Sequence, residues 1–105
     1  MKTQKTINLA LQFSRFPGGR FNTDGEFNGE KFREKFLKPA LDENKSIVVE
    51  LDGTAGYGSS FLEEAFGGLV RELHMDPADL ERRMTLVSND KSLISEIWEY
   101  IKAAK

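Results

Sequence analysis

The run Ile47-Val48-Val49-Glu50-Leu51 ends in a glycine-rich turn, Asp52-Gly53-Thr54-Ala55-Gly56-Tyr57-Gly58, and the turn opens directly onto Ser59-Ser60-Phe61. From Phe61 the apolar residues Leu62, Ala65, Phe66, Leu69, Val70 and Leu73 recur with the spacing of one helix face. An apolar, β-branched strand that feeds a helix through a short turn is the unit from which mainly parallel sheets are built, because parallel neighbours need a crossover. The same turn sets two hydroxyls at a helix start, expected at Ser59 or Ser60, where unpaired backbone N–H groups and the helix dipole favour an anion or a capping oxygen.

The rest of the chain repeats the alternation. Ile7, Leu9, Leu11 and Phe13 alternate with more polar residues, which predicts a first strand with one buried and one wetter face. The loop from Phe16 to Asn28 allows a short second strand near Arg20–Asn22, returning antiparallel to the first. A helical stripe of Phe32, Phe36, Leu37, Ala40 and Leu41 follows, with Asn28 as its cap and Pro39 bending its last turn. Asp76-Pro77 opens a short helix, and Thr85–Ser88 forms another parallel-type strand. Asn89 or Asp90 caps a last helix with the stripe Leu93, Ile94, Ile97, Trp98 and Ile101. The fold class is therefore α/β, in the order β(β)αβαβα, with a mainly parallel, mixed sheet of four strands and Ile47–Asp52 in its interior. The strict alternation of the first strand marks it as an antiparallel or edge element.

Length and charge bound the function. A chain of 105 residues supports one domain, taken as 1–105, with a single core. A net charge of -2 gives no basic field for nucleic acid or anionic membrane, and no apolar run is long enough to span a bilayer. The alternating start shows no signal-peptide core, and the absence of cysteine fits a reducing cytoplasm while removing thiolate chemistry and disulfides. His74 is the only histidine and reads as a dipole partner at a helix C-terminus. We find no nucleophile–base pair and no metal or cofactor signature, so the chain is expected not to be an enzyme.

The turn itself admits a structural and a functional reading. Ser60 and Glu63 have the capping-box spacing, in which each side chain satisfies a backbone N–H at the helix start; Ser60→Ala would then cost about 1 kcal/mol. In the other reading Ser59 or Ser60 accepts a phosphoryl group or lines an anion site, facing the like charges of Glu63 and Glu64 in the first turn. No phosphate-cradling motif accompanies Gly53, Gly56 and Gly58, which more simply supply positive φ. Gly67 and Gly68 in mid-helix imply close approach by another backbone, for which the sheet is the natural candidate. The aromatics of the 16–27 loop are expected to fold under as core rather than stack on single-stranded nucleic acid. Glu50 and Asp52 lie at a strand end, where ligands of open α/β sheets bind.

Three fragments carry a resemblance: Gly19-Arg20, then Gly29-Glu30-Lys31-Phe32-Arg33, then Gly58-Ser59-Ser60-Phe61-Leu62-Glu63-Glu64-Ala65-Phe66-Gly67. Together with the element order they resemble the STAS domain of bacterial anti-sigma-factor antagonists, and more closely a family of small STAS-like proteins of uncharacterised function. In the antagonists the strand–turn–helix corner reads Asp-Ser-Ser-Gly, and a histidine-kinase-like ATPase phosphorylates one serine to switch partners. The resemblance places Ser60, with Ser59 beside it, at the acceptor; Gly58 stands in the Asp place and Phe61 in the Gly place. It implies a cytoplasmic signalling module that docks a protein partner through Gly56, Tyr57, Gly58, Ser59, Ser60, Phe61 and Glu64. The alternative is a small-molecule or nucleotide sensor that uses the same corner as an anion pocket.

Overall fold

The computed structural model describes residues 4–105, and Met1–Thr3, at the start read as showing no signal-peptide core, lie outside them. Three strands, β1 (Gln4–Asn8), β2 (Ser46–Glu50) and β3 (Met84–Val87), form one sheet in the order β1-β2-β3, every pair parallel. The expected mixed sheet of four strands is thus a three-stranded, all-parallel sheet among the described residues, with β2 inside it as expected.

Two local effects account for the difference. Asn8 ends β1 by accepting the N–H of Leu11 at 3.0 Å on its side chain, so the chain turns into a short helix, α1 (Leu9–Gln12). Leu9 is buried and Leu11 is 73% exposed, so the apolar alternation beyond Asn8 does not continue a strand. At Arg20–Asn22 the chain bends instead of pairing, because the Asp24 carboxylate accepts the N–H groups of Arg20 and Phe21 at 3.2 and 2.8 Å. The first strand is an edge strand, and it is parallel to its neighbour.

Helix α2 runs over residues 29–43 in three stretches, Gly29–Phe32, Arg33–Leu37 and Lys38–Glu43, the middle one widened to i→i+5 hydrogen bonding. Helix α3 covers residues 59–71 in the same manner, as Ser59–Leu62, a widened Glu63–Gly67 and Gly68–Arg71. Asn28 caps α2, accepting the Lys31 N–H at 2.7 Å. Pro39, which has no N–H to offer the preceding turn, follows the widened stretch of α2. Helices α4 (Pro77–Arg83) and α5 (Lys91–Ala103) are capped by Asp76 and Asp90.

The register aligns Ile7, Val49 and Leu86, all buried, on the face that the helices cover. Phe32, Phe61, Phe66, Leu69, Ile97 and Ile101 complete the core on that side, through a chain of ring contacts that includes Phe13 to Phe32 at 5.1 Å. The opposite face carries Thr6, Val48 and Thr85 side by side and remains half-buried to exposed. Of the loop aromatics, Phe27 packs edge-on against Phe13, but Phe16 and Phe21 are exposed, which corrects their assignment to the core.

Candidate functional site

The turn after β2 crosses the carboxyl end of the sheet. Gly53 and Gly56 have φ of +103° and +140°, backbone that L side chains rarely adopt, so these two positions need glycine. The turn is tied to the segment after β1 by the Ala55 N–H, which donates to the Arg15 carbonyl at 2.8 Å. Tyr57 is half-buried; its ring lies 6.0 Å from that of Phe61 and its hydroxyl donates to the Leu51 carbonyl at 2.6 Å. Burial, and next to it the charge of Asp52, push the Tyr57 phenol up to about 12 against the opposing Thr54 hydrogen bond, so it stays a neutral donor.

Helix α3 begins at Ser59 with Gly58 as its cap residue, and no side chain caps it. Ser59 and Ser60 are exposed, and their hydroxyls make no hydrogen bond among the described residues. The capping box is therefore absent: Ser60 is inside the helix, and Glu63 is turned away to arginine partners. Phe61 is fully buried and Glu64 nearly so, which leaves Gly56, Gly58, Ser59, Ser60 and the rim of Tyr57 as the part of the corner that a partner can reach.

Beneath the corner lies a cluster that sequence reasoning did not anticipate. Arg33, itself buried, donates through Nη1 to the Glu64 Oε2 and to the Glu64 carbonyl, both at 2.7 Å. Arg20 and Arg71 donate to Glu64 Oε1 at 3.1 and 3.0 Å and also to the two carboxylate oxygens of Glu63. Burial alone would raise the Glu63 pKa, but hydrogen bonds from Arg71 and Arg20 and their charges outweigh it and hold this carboxyl below its ordinary value. The first-turn repulsion expected from Glu63 and Glu64 is thereby neutralised by three guanidinium groups.

The cluster also explains the helical glycines. A Cβ on Gly68 would lie 2.3 Å from Arg33 Nη1, and one on Gly67 would lie 2.8 Å from Glu63 Oε2 and 3.4 Å from the Tyr100 carbonyl. These residues make room for the ion cluster and for α5, not for the sheet. Gly29 sits where α2 crosses α3 so closely that a Cβ would lie 2.6 Å from the Phe61 carbonyl. Arg71 was the missed member; its position seven and eight residues beyond Glu64 and Glu63, on one helix face, is the signal that could have found it.

Beside the corner, a groove of about 290 Å³ runs between the ends of β2 and β3 and the start of α5. Asp52, Asp90 and Glu96 line it together with Tyr57 and Ser88, so an anion entering there meets like charge. Asp52 already accepts from the Ser88 hydroxyl at 2.7 Å and the Asn89 N–H at 3.0 Å; Glu50 accepts from the Asn8 side chain and does not join this groove. His74 lies beyond the other end of α3 with φ of +60°, closing the helix in left-handed backbone. Among the described residues no three His, Cys, Asp or Glu side chains are grouped to hold a metal ion, and no helix is long and apolar enough to cross a membrane.

A sequence profile of STAS-like domains of unknown function (DUF4325) matches residues 28–93, which include both widened helices, Arg33, Glu63, Glu64 and the whole corner. No curated protein and no solved structure matches the chain.

Proposed function

We propose that this chain, which belongs to the STAS-like family of domains of unknown function, is a non-enzymatic regulatory interaction module that docks a protein partner through the Gly56–Ser60 corner. The observation that carries the reading is the state of Ser59 and Ser60: two exposed serines at a helix start, their hydroxyls engaged in no cap. A surface held from below by Phe61 and by the Glu64–arginine cluster, with exposed polar residues above it, is suited to recognition by a rigid partner. The adjacent acidic groove disfavours the alternative of an anion sensor at this place.

By its resemblance to the antagonists, the partner is a histidine-kinase-like ATPase acting in the cytoplasm. Phosphorylation would transfer the γ-phosphoryl group of ATP to the hydroxyl oxygen of Ser60, or of Ser59, releasing ADP and the hydroxyl proton. The product dianion would occupy the docking surface itself and weaken docking by charge and bulk. Capture of partners from the native host tests the reading. The wild-type chain is expected to retain an ATPase that the Ser59→Arg and Ser60→Arg variants lose, and intact mass after incubation with ATP should show one added phosphoryl group that Ser60→Ala or Ser59→Ala removes. Equal capture by both arginine variants would place the interface elsewhere.

A further inference from the structure

We propose that the outer edge of β1 takes up an extended peptide that carries an acidic and an apolar residue two positions apart, adding a fourth strand to the sheet. Among the described residues β1 pairs with β2 alone, so the outward groups of Gln4–Ile7 form an open template, while at its end the Asn8 N–H is already donated to Gln12 Oε1 at 2.5 Å. Alongside that edge, between β1 and α2, lies a groove of about 200 Å³. Ile7 and Ala40 form its buried floor, Phe36 and Pro39 its apolar wall, and Lys5 and Lys35 its cationic rim.

A strand laid against β1 points every second side chain to the face that holds Lys5 and Ile7, and so into this groove. Main-chain bonds to an edge give such a complex its affinity, and pockets for alternate side chains give it its selectivity. The apolar floor accepts an aliphatic side chain. Neither Lys5 nor Lys35 has a carboxylate partner among the described residues, while Lys38 on the same helix is committed to Asp42 at 3.1 Å. Glu43 also lines the groove, so two lysines face one carboxylate and the excess charge is positive. That balance favours a carboxylate on the incoming strand. It also disfavours a second copy of this chain, which would bring its own Lys5 to the seam, an inward-pointing charge of the kind that keeps edges apart. The edge is separate from the Gly56–Ser60 corner, and either can fail without the other.

The test is a titration of the isotope-labelled full chain with a short capped peptide of the pattern Thr-Glu-Thr-Val-Thr, which sets glutamate and valine on one face, and with its lysine-for-glutamate counterpart, followed by amide shifts and hydrogen exchange. The acidic peptide should shift Lys5–Asn8, newly protect amides within Gln4–Ile7 and shift Lys35–Ala40, leaving Ser59 and Ser60 unmoved. Lys35→Glu should weaken it about tenfold and Lys35→Ala by less, the scale expected for rim charges in one or two pairs, while the lysine peptide should gain. Three results would overturn the proposal: no shift at β1, equal response to the two peptides, or protection of β1 that rises with protein concentration without peptide and so belongs to a second copy.

Discussion

Glu64 is the residue on which the corner rests. Its carboxylate is buried and receives hydrogen bonds from Arg20, Arg33 and Arg71, so its removal leaves the buried Arg33 with only the exposed carboxylate of Glu34, at 2.9 Å, as a counter-charge. Breaking one side of a buried pair costs about 3–5 kcal/mol, and with Glu34 still beside Arg33 the loss for Glu64→Ala in denaturant melts should fall at the lower end of that range. Ser60 behaves oppositely. Because it does not cap α3, Ser60→Ala should change stability by less than about 0.5 kcal/mol, against the loss of about 1 kcal/mol that a capping box would give. Glu63 adds a pH dependence. A carboxyl held below its ordinary value of 4.5 contributes stability that is present above that value and is lost as pH falls through its lowered folded value. Melting midpoints should therefore drop more steeply below about pH 4.5 in the wild type than in Glu63→Gln.

At the scale of elements, the two widened helices cross with almost no space between their backbones. Gly29→Ala must push α2 off α3 or distort one of them, and a loss of about 1–3 kcal/mol is expected in the same melts. How much of this was legible differs by element. The caps at Asn28, Asp76 and Asp90 and the stripes of α3 and α5 are written in local sequence and appear where expected. The first strand was misjudged beyond Asn8 because a single side-chain hydrogen bond, to the Leu11 N–H, outweighs an apolar alternation that fits a strand and a helical turn equally well. Asp24 likewise converted an expected hairpin strand into a bend. Within the ion cluster only the spacing of Arg71 from Glu63 and Glu64 along α3 is legible; Arg20 and Arg33 reach it from other parts of the chain and meet it only through packing. What could be read was that the glycines had a steric purpose, although its object was arginine side chains and α5 rather than the sheet.

For the whole molecule, a small parallel sheet is covered by helices on one face and presents its carboxyl end to solvent. The Gly56–Ser60 turn stands at that end on a rigid base, and the exposed hydroxyls of Ser59 and Ser60 are its chemistry. The central claim is that this corner docks the partner while the ion cluster below only supports it. The most direct measurement is the affinity of the captured ATPase for the wild type and for Ser60→Arg, each first shown to melt at the same temperature. The account predicts at least about a tenfold loss of affinity, on the order of 1.4 kcal/mol, with the fold intact. Equal affinities for the two proteins would contradict it.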